Sequence, residues 1–196
     1  MSTRFLLATI SATILVSASM SAAASRPESY QSVSKFGTTA AQECYYAAKQ
    51  KRVLREGIAV CDQALDEGVM STRDRAATLV NRGILKMASH DNDGALSDYN
   101  AAIRVLPDLG DAYVNRGLYY MYVGHQDELA IDEINKGLAL GTSDESTAYY
   151  GRALAYEALD RITEAYYDFK RALELKPGWD LPKKELVRYS VRPKTE

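Results

Sequence analysis

Two stretches of the sequence are nearly the same: VNRGILKM at 80–87 and VNRGLYYM at 114–121. They begin 34 residues apart. A stretch that recurs at a fixed period of about 20–50 residues indicates stacked repeats, in which each unit is too small to bury its own apolar face. A period of this length favours two helices joined by a turn. The sequence therefore predicts an all-α chain built from helix pairs.

The second half of each unit carries one regular helical face. A small residue is followed four positions later by a large one, and three positions after that by another small one. Residues at this spacing lie on one side of a helix. The three sets are Ala95, Tyr99 and Ala102; Ala130, Ile134 and Gly137; and Ala165, Phe169 and Ala172.

Together with Leu79, Arg82 and Gly83 in the first halves, these residues resemble the tetratricopeptide repeat family. The resemblance covers about 76–179, and more weakly 38–71. It implies antiparallel helix pairs stacked as a short right-handed superhelical solenoid with a C-terminal capping helix. The expected segments are a degenerate repeat at 38–71, repeats at 76–109, at 110–145 (with insertions) and at 146–179, and a capping helix and tail at 180–196.

The recurring Arg-Gly pair has a structural interpretation. Gly83 and Gly117 are expected where the two helices of a repeat approach too closely for a side chain. Ala153 occupies the same position one repeat later, so we expect alanine to be tolerated at 117. Each arginine is followed 16 or 17 residues later by a carboxylate on the second helix, which predicts an ion pair between helices. These pairs are Arg82 with Asp98, Arg116 with Glu133, and Arg152 with Asp168.

Residues 1–24 have the composition of a secretory signal peptide. Arg4 precedes an apolar run from Phe5 to Val16, and small residues follow up to Ala24. The alternative is a membrane anchor, but a run of 12 residues is well short of the roughly 20 needed to span a bilayer. We therefore expect cleavage after Ala24, export to the periplasm or the outside of the cell, and no membrane insertion afterwards. Residues 25–37 form a polar lead with no clear period, expected to be disordered.

The charge of the expected mature chain argues against nucleic acid as a partner. Without residues 1–24 the chain has 23 Lys and Arg against 26 Asp and Glu, a net charge of −3. A nucleic-acid-binding domain usually carries a basic patch or stripe.

The two cysteines, Cys44 and Cys61, are expected to form a disulfide, because an even pair in an exported chain is typical of one. Two buried free thiols are the alternative. A zinc site would need four ligands, and only His90 and His125 could complete it, both in predicted turns. We expect no metal, no cofactor and no catalytic site, and hence no enzyme activity.

The first helices also carry a second set of recurring residues beside the Arg-Gly pair. The resemblance places this set on a concave groove that would bind a peptide or an amphipathic helix. Residues 25–37 or the C-terminal helix could instead cover it. A tetratricopeptide groove that clamps a terminal carboxylate uses Lys and Arg beside Asn. Here the neighbouring first-helix positions carry no Lys or Arg, so such a clamp is not expected; they are Ala77, Val80, Asp111, Val114, Thr147 and Tyr150. The predicted groove residues are Val80, Asn81, Ile84, Met87, Val114, Asn115, Leu118, Met121, Tyr122, Tyr150 and Leu154.

These observations favour an exported adaptor that binds another protein. Two alternatives remain open at this point. One is an enzyme subunit whose active site is completed by a partner chain. The other is a structural homo-oligomer that stacks through its ends.

Overall fold

The computed structural model of the chain describes residues 39–51, 53–67 and 70–189, and over these residues it contains nine helices and no strand. The expected signal at 1–24, the polar lead at 25–37 and the tail from 190 onward lie outside the described residues. In chain order the helices are α1 (Thr39–Gln50), α2 (Leu54–Asp66), α3 (Thr72–Ala88), α4 (Asn92–Val105), α5 (Gly110–Tyr122), α6 (Asp127–Leu140), α7 (Glu145–Ala158), α8 (Ile162–Leu175) and α9 (Asp180–Val187). None of these nine helices has both the length and the apolar composition of a membrane span.

The helices pack in consecutive pairs. Each odd-numbered helix from α1 to α7 packs along the even-numbered helix that follows it, and α9 packs on α8 at the C-terminal end. We call α1, α3, α5 and α7 the first helices and α2, α4, α6 and α8 the second helices. The fold is the all-α repeat solenoid that the 34-residue period predicts.

The start of α3 shows how local sequence sets a boundary. The Oγ of Ser71 accepts a hydrogen bond from the amide of Asp74 at 3.0 Å, which caps the helix. The helix therefore begins at Thr72, before the start at 76 that the repeat pattern predicts.

The turns inside the pairs share one backbone feature. Lys51, His90, His125 and Asp160 all have positive φ, between 49° and 66°, and each lies between a first helix and its second helix. A residue in this conformation reverses the chain after a helix. Both histidines are exposed there, so their recurrence reflects the turn of the helix pair.

Small residues bring the helices of a pair together. A Cβ added to Gly83 would lie 2.5 Å from the ring Cε1 of Tyr99. A Cβ added to Gly117 would lie 2.8 Å from Cγ1 of Ile134. At the third equivalent position, Ala153 is fully buried in the same core cluster as Phe169.

The curvature of the stack follows from which helices contact one another. Successive first helices contact one another, whereas successive second helices make no comparable contact among the described residues. A stack that is closer on one side than on the other must curve toward the closer side. We call the face of this closer side, formed by α1, α3, α5 and α7, the inner surface.

Candidate functional site: the inner surface

The recurring arginines hold the helix pairs together. Arg82 donates from Nε to Oδ2 of Asp98 at 2.8 Å and from Nη2 to Oδ1 at 2.6 Å. Such bidentate pairs are among the stronger hydrogen bonds in proteins. The hydrogen bond to Asp98 raises the pKa of the Arg82 guanidinium, outweighing the burial that lowers it. The same arrangement joins Arg116 to Glu133 and Arg152 to Asp168.

The third guanidinium nitrogen of each arginine links neighbouring pairs, a contact that the sequence analysis did not predict. Each Nη1 donates to a polar side chain on the second helix of the preceding pair. In the last two cases that side chain lies two residues after the carboxylate of its own pair. This recurring spacing is the sequence feature that could have predicted the contact. The acceptors are Asp62 at 2.6 Å, Asn100 at 2.8 Å and Asn135 at 2.5 Å. With all three nitrogens occupied, these arginines are structural.

Three of the predicted groove residues are not available to a partner. Val80, Val114 and Met121 are only 4%, 2% and 8% exposed, so their assignment to an open groove was wrong. The Cγ2 of Val114 lies 2.5 Å from where a Cβ on Gly137 would stand, because α5 packs against its own second helix there. Val80 and Met121 lie in core clusters with Ala112 and Ala155 of the following first helices.

Five more predicted groove residues are half-buried between helices. Leu118 illustrates the reason, because its Cδ2 occupies the space that a side chain on Gly151 of α7 would need. Leu118 therefore packs between successive first helices, so replacing it with aspartate would disturb that packing. The other four pack against buried clusters in the same way: Ile84, Met87, Tyr150 and Leu154.

The two predicted asparagines are half-buried on α3 and α5. Asn115 donates from Nδ2 to the backbone carbonyl oxygen of Asp111 at 2.8 Å, one turn earlier in the same helix. The equivalent residue on α3 is Asn81. One donor hydrogen of Asn115 is thus already used, while its carbonyl oxygen is not engaged in that bond.

Tyr122 is the predicted groove residue with the largest exposed fraction, at 54%. It ends α5, one helical turn after Leu118. On α7, Tyr150 packs its ring on Trp179 at 4.8 Å between centroids and on Phe169 at 5.6 Å. Fewer apolar side chains are therefore accessible on the inner surface than the sequence predicts, and Tyr122 has the largest exposed fraction among the predicted residues.

The polar groups of the described residues form no metal-binding group of three or more His, Cys, Asp or Glu. The only two histidines, His90 and His125, lie in separate turns.

Comparison with known proteins identifies the repeat. Residues 146–178 match the model of the tetratricopeptide repeat family. Over 121 residues, 59% of the chain, the sequence is 33% identical to Protein PHOX1 of Arabidopsis thaliana, and the match spans 16% of the length of that protein.

Among the solved structures that share the fold, two illustrate the range of sequence identity. The first tetratricopeptide domain of Spaghetti (RPAP3), bound to the HSP90 peptide SRMEEVD, is 26% identical, with a TM-score of 0.55 over 59% of this chain and 93% of that domain. MamA of Desulfovibrio magneticus RS-1 is 16% identical, with a TM-score of 0.56 over 76% of this chain and 82% of that one. Both likenesses agree with a tetratricopeptide solenoid.

Proposed function

We propose that this chain is an exported adaptor that binds a segment of another protein on its inner surface. The observation that carries the proposal is the likeness to the RPAP3 domain bound to the peptide SRMEEVD. The chain matches nearly all of that domain, and it does so at 26% identity.

The shape of the inner surface supports a peptide or helix as the guest. Four first helices lie side by side along it, so a segment could contact several repeats at once. Tyr122 offers an exposed ring with a polar tip, a side chain that is enriched where proteins meet. The carbonyl oxygens of Asn81 and Asn115 could accept hydrogen bonds from a guest backbone.

The charges of the first helices favour a guest that is recognised by shape and apolar burial. Four cationic side chains of α3, α5 and α7 already pair with carboxylates: Arg82, Lys86, Arg116 and Arg152. The Nζ of Lys86, for example, lies 2.9 Å from Oδ2 of Asp98. The same carboxylate also binds Arg82. An acidic peptide would have to compete with these internal carboxylates, so it is a poor fit.

Export is proposed from the composition of residues 1–24 together with the disulfide, since disulfides persist in oxidising compartments. N-terminal sequencing of the protein from its own cell tests this part alone. A mature chain that begins at Ser25 is expected, and a chain that retains residues 1–24 would contradict it.

Selection of peptides from a random displayed library, with the immobilised protein as bait, tests the binding surface. We expect the selected peptides to compete with one another. We also expect them to bind Tyr122→Asp at least about tenfold more weakly, a loss of roughly 1.4 kcal/mol.

Tyr167→Asp is the matched control. Tyr167 is another exposed tyrosine, 62% accessible, but it lies on the second helix α8. Circular dichroism should show both variants folded. Peptides that lose affinity for Tyr167→Asp and not for Tyr122→Asp would place the binding surface on the outer side, and a library that yields no peptide would argue against peptide binding.

A further inference from the structure

Helix α1 is attached to the stack by a different kind of contact from that of the later first helices. Cys44 of α1 is joined to Cys61 of α2 with an S–S distance of 2.05 Å, and both residues are fully buried. The two cysteines are 17 residues apart. The small and large residues that meet in the later pairs are 16 or 17 apart: Gly83 and Tyr99, Gly117 and Ile134, and Ala153 and Phe169.

The spacing of the buried residues on α2 confirms that the first helix pair has the same register as the later pairs. Gly57, Cys61 and Ala64 of α2 have the spacing of Ala95, Tyr99 and Ala102 of α4, and all three are buried. Cys61 thus stands where the later pairs have a large side chain, and Cys44 stands where they have glycine or alanine. The disulfide occupies the place of the packing contact that holds each later pair together.

The ion pair of the later repeats is also missing from the first pair. In this register Glu43 stands at the position of Arg82, and Val60 stands at the position of Asp98. No ion pair joins α1 to another helix among the residues that the structure describes.

The apolar face that α1 buries is small. Its buried residues are Ala40, Cys44 and Ala48, while its two large side chains, Tyr45 and Tyr46, are each 48% exposed. Stabilisation by burial scales with the apolar area removed from water, and three such residues remove little. A helix of 12 residues is also marginal when it is not held by its neighbours.

Helix α2, in contrast, is held to α3 without the disulfide. Asp62 binds Arg82 at 2.6 Å, and Arg75 donates to the backbone carbonyl oxygen of Leu65 at 3.1 Å. Leu65 is buried in the core cluster with Leu79 of α3. These contacts do not involve α1.

We propose that the disulfide is a redox latch for α1. With Cys44 and Cys61 joined, α1 docks on α2 and α3. With the bond reduced, α1 leaves the stack while α2 through α9 remain folded. Because α1 forms the N-terminal end of the inner surface, release would also shorten that surface by one first helix.

The chemistry is a thiol–disulfide exchange with a dithiol reductant. A thiolate of the reductant attacks one cysteine sulfur and forms a mixed disulfide, and its second thiol then releases the other cysteine. Two electrons and two protons pass to the protein, which ends with two thiols, and the reductant ends as a disulfide. Because both cysteines are fully buried, the exchange needs a local opening, so the latch is set mainly as the chain folds.

Hydrogen–deuterium exchange read by mass spectrometry tests the latch directly. The full chain is refolded with and without tris(2-carboxyethyl)phosphine, and alkylation counts the free thiols in each sample. Closing a loop of this length stabilises enough to slow exchange on the order of 100-fold. We therefore expect peptides within 40–50 to exchange on the order of 100-fold faster in the reduced chain, with peptides from α3 to α8 unchanged.

A Cys44→Ser, Cys61→Ser double variant is the matched control. It should exchange like the reduced chain, and the reductant should not change it further. Three results would overturn the latch: α1 that stays protected after complete reduction, α1 that is unprotected even when oxidised, or a loss of protection that is uniform along the chain. The test does not depend on any partner, so it stands apart from the proposed binding function.

Discussion

Gly117 packs directly on the backbone of Ala130. A Cβ added to Gly117 would lie 2.9 Å from the carbonyl oxygen of Ala130 and 2.8 Å from Cγ1 of Ile134. The backbone of a packed helix cannot give way as the tip of a flexible side chain can. The expectation that alanine is tolerated at 117, drawn from Ala153 in the next pair, is therefore not supported by the local geometry of α5 and α6.

We predict that Gly117→Ala lowers the free energy of unfolding by about 1–3 kcal/mol, because the cost of overpacking exceeds the better helix propensity of alanine. Chemical denaturation measures the change. Gly178→Ala is the control, since nothing lies within 4 Å of a Cβ at that position. Equal stability of the two variants would show that α5 and α6 are not as close as the structure places them.

The ion pairs between helices should contribute more to the free energy of unfolding where they are shielded from water. The side chains of Arg116 and Glu133 are 18% and 15% exposed, whereas those of Arg171 and Glu174 are 48% and 50% exposed. We predict that Glu133→Gln lowers the free energy of unfolding by about 2 kcal/mol, because a half-buried guanidinium loses its charged partner. Glu174→Gln should change it by less than about 0.5 kcal/mol. Denaturation of the two variants side by side measures the difference, and similar losses in both would argue against a structural role of the inner pair.

The N-terminus of α7 should respond to acid. Asp144 accepts hydrogen bonds from the amide of Thr147 at 3.0 Å and from the hydroxyls of Ser146 and Thr147 at 2.5 and 2.7 Å. Burial alone would raise the pKa of Asp144, but these hydrogen bonds outweigh it and lower the pKa below its ordinary value.

A lowered pKa means that the folded state favours the carboxylate. Asp144 therefore contributes to the free energy of unfolding above its ordinary pKa, and this contribution is lost as the pH falls through the lowered pKa. We predict that Asp144→Asn, which keeps a capping side chain, has a smaller fall in melting temperature between pH 5 and pH 2 than the wild type. An identical fall in both proteins would show that Asp144 does not titrate in this way.

The guest should not be an acidic C-terminal peptide. Arg82 and Arg116 are fully engaged within the stack. We predict that the peptide SRMEEVD shows no saturable binding below about 1 mM in fluorescence anisotropy, a free energy weaker than about −4 kcal/mol. A micromolar dissociation constant that rises with salt would contradict the inference that the guest is recognised by shape and apolar burial.

The repeating features of this chain could be predicted from the sequence because the cause lies within one repeat. Gly83 and Tyr99 stand 16 residues apart in one repeat, so the spacing within that repeat is enough to predict their contact. The pairing of Arg82 with Asp98 is visible in the same way.

The exposure of residues on the inner surface could not be predicted as well, because it depends on contacts with neighbouring repeats. Each first helix in the middle of the stack contacts four other helices, so its buried arc is wider than that of one helix pair. Val114 follows the core residue Tyr113, and the periodicity of α5 alone leaves it at the edge of the core face. The structure shows that Gly137 of α6 lies against its Cγ2, which buries it.

The central claim is that the inner surface binds a protein segment in the cell, and site-specific photo-crosslinking tests it most directly. A benzophenone amino acid replaces Tyr122 on α5 or, as the control, Tyr167 on α8, in the cell that produces the chain. We predict a discrete crosslinked protein from position 122 and none from position 167 after irradiation. A discrete crosslinked protein from position 167, with none from position 122, would contradict the assignment of the binding surface.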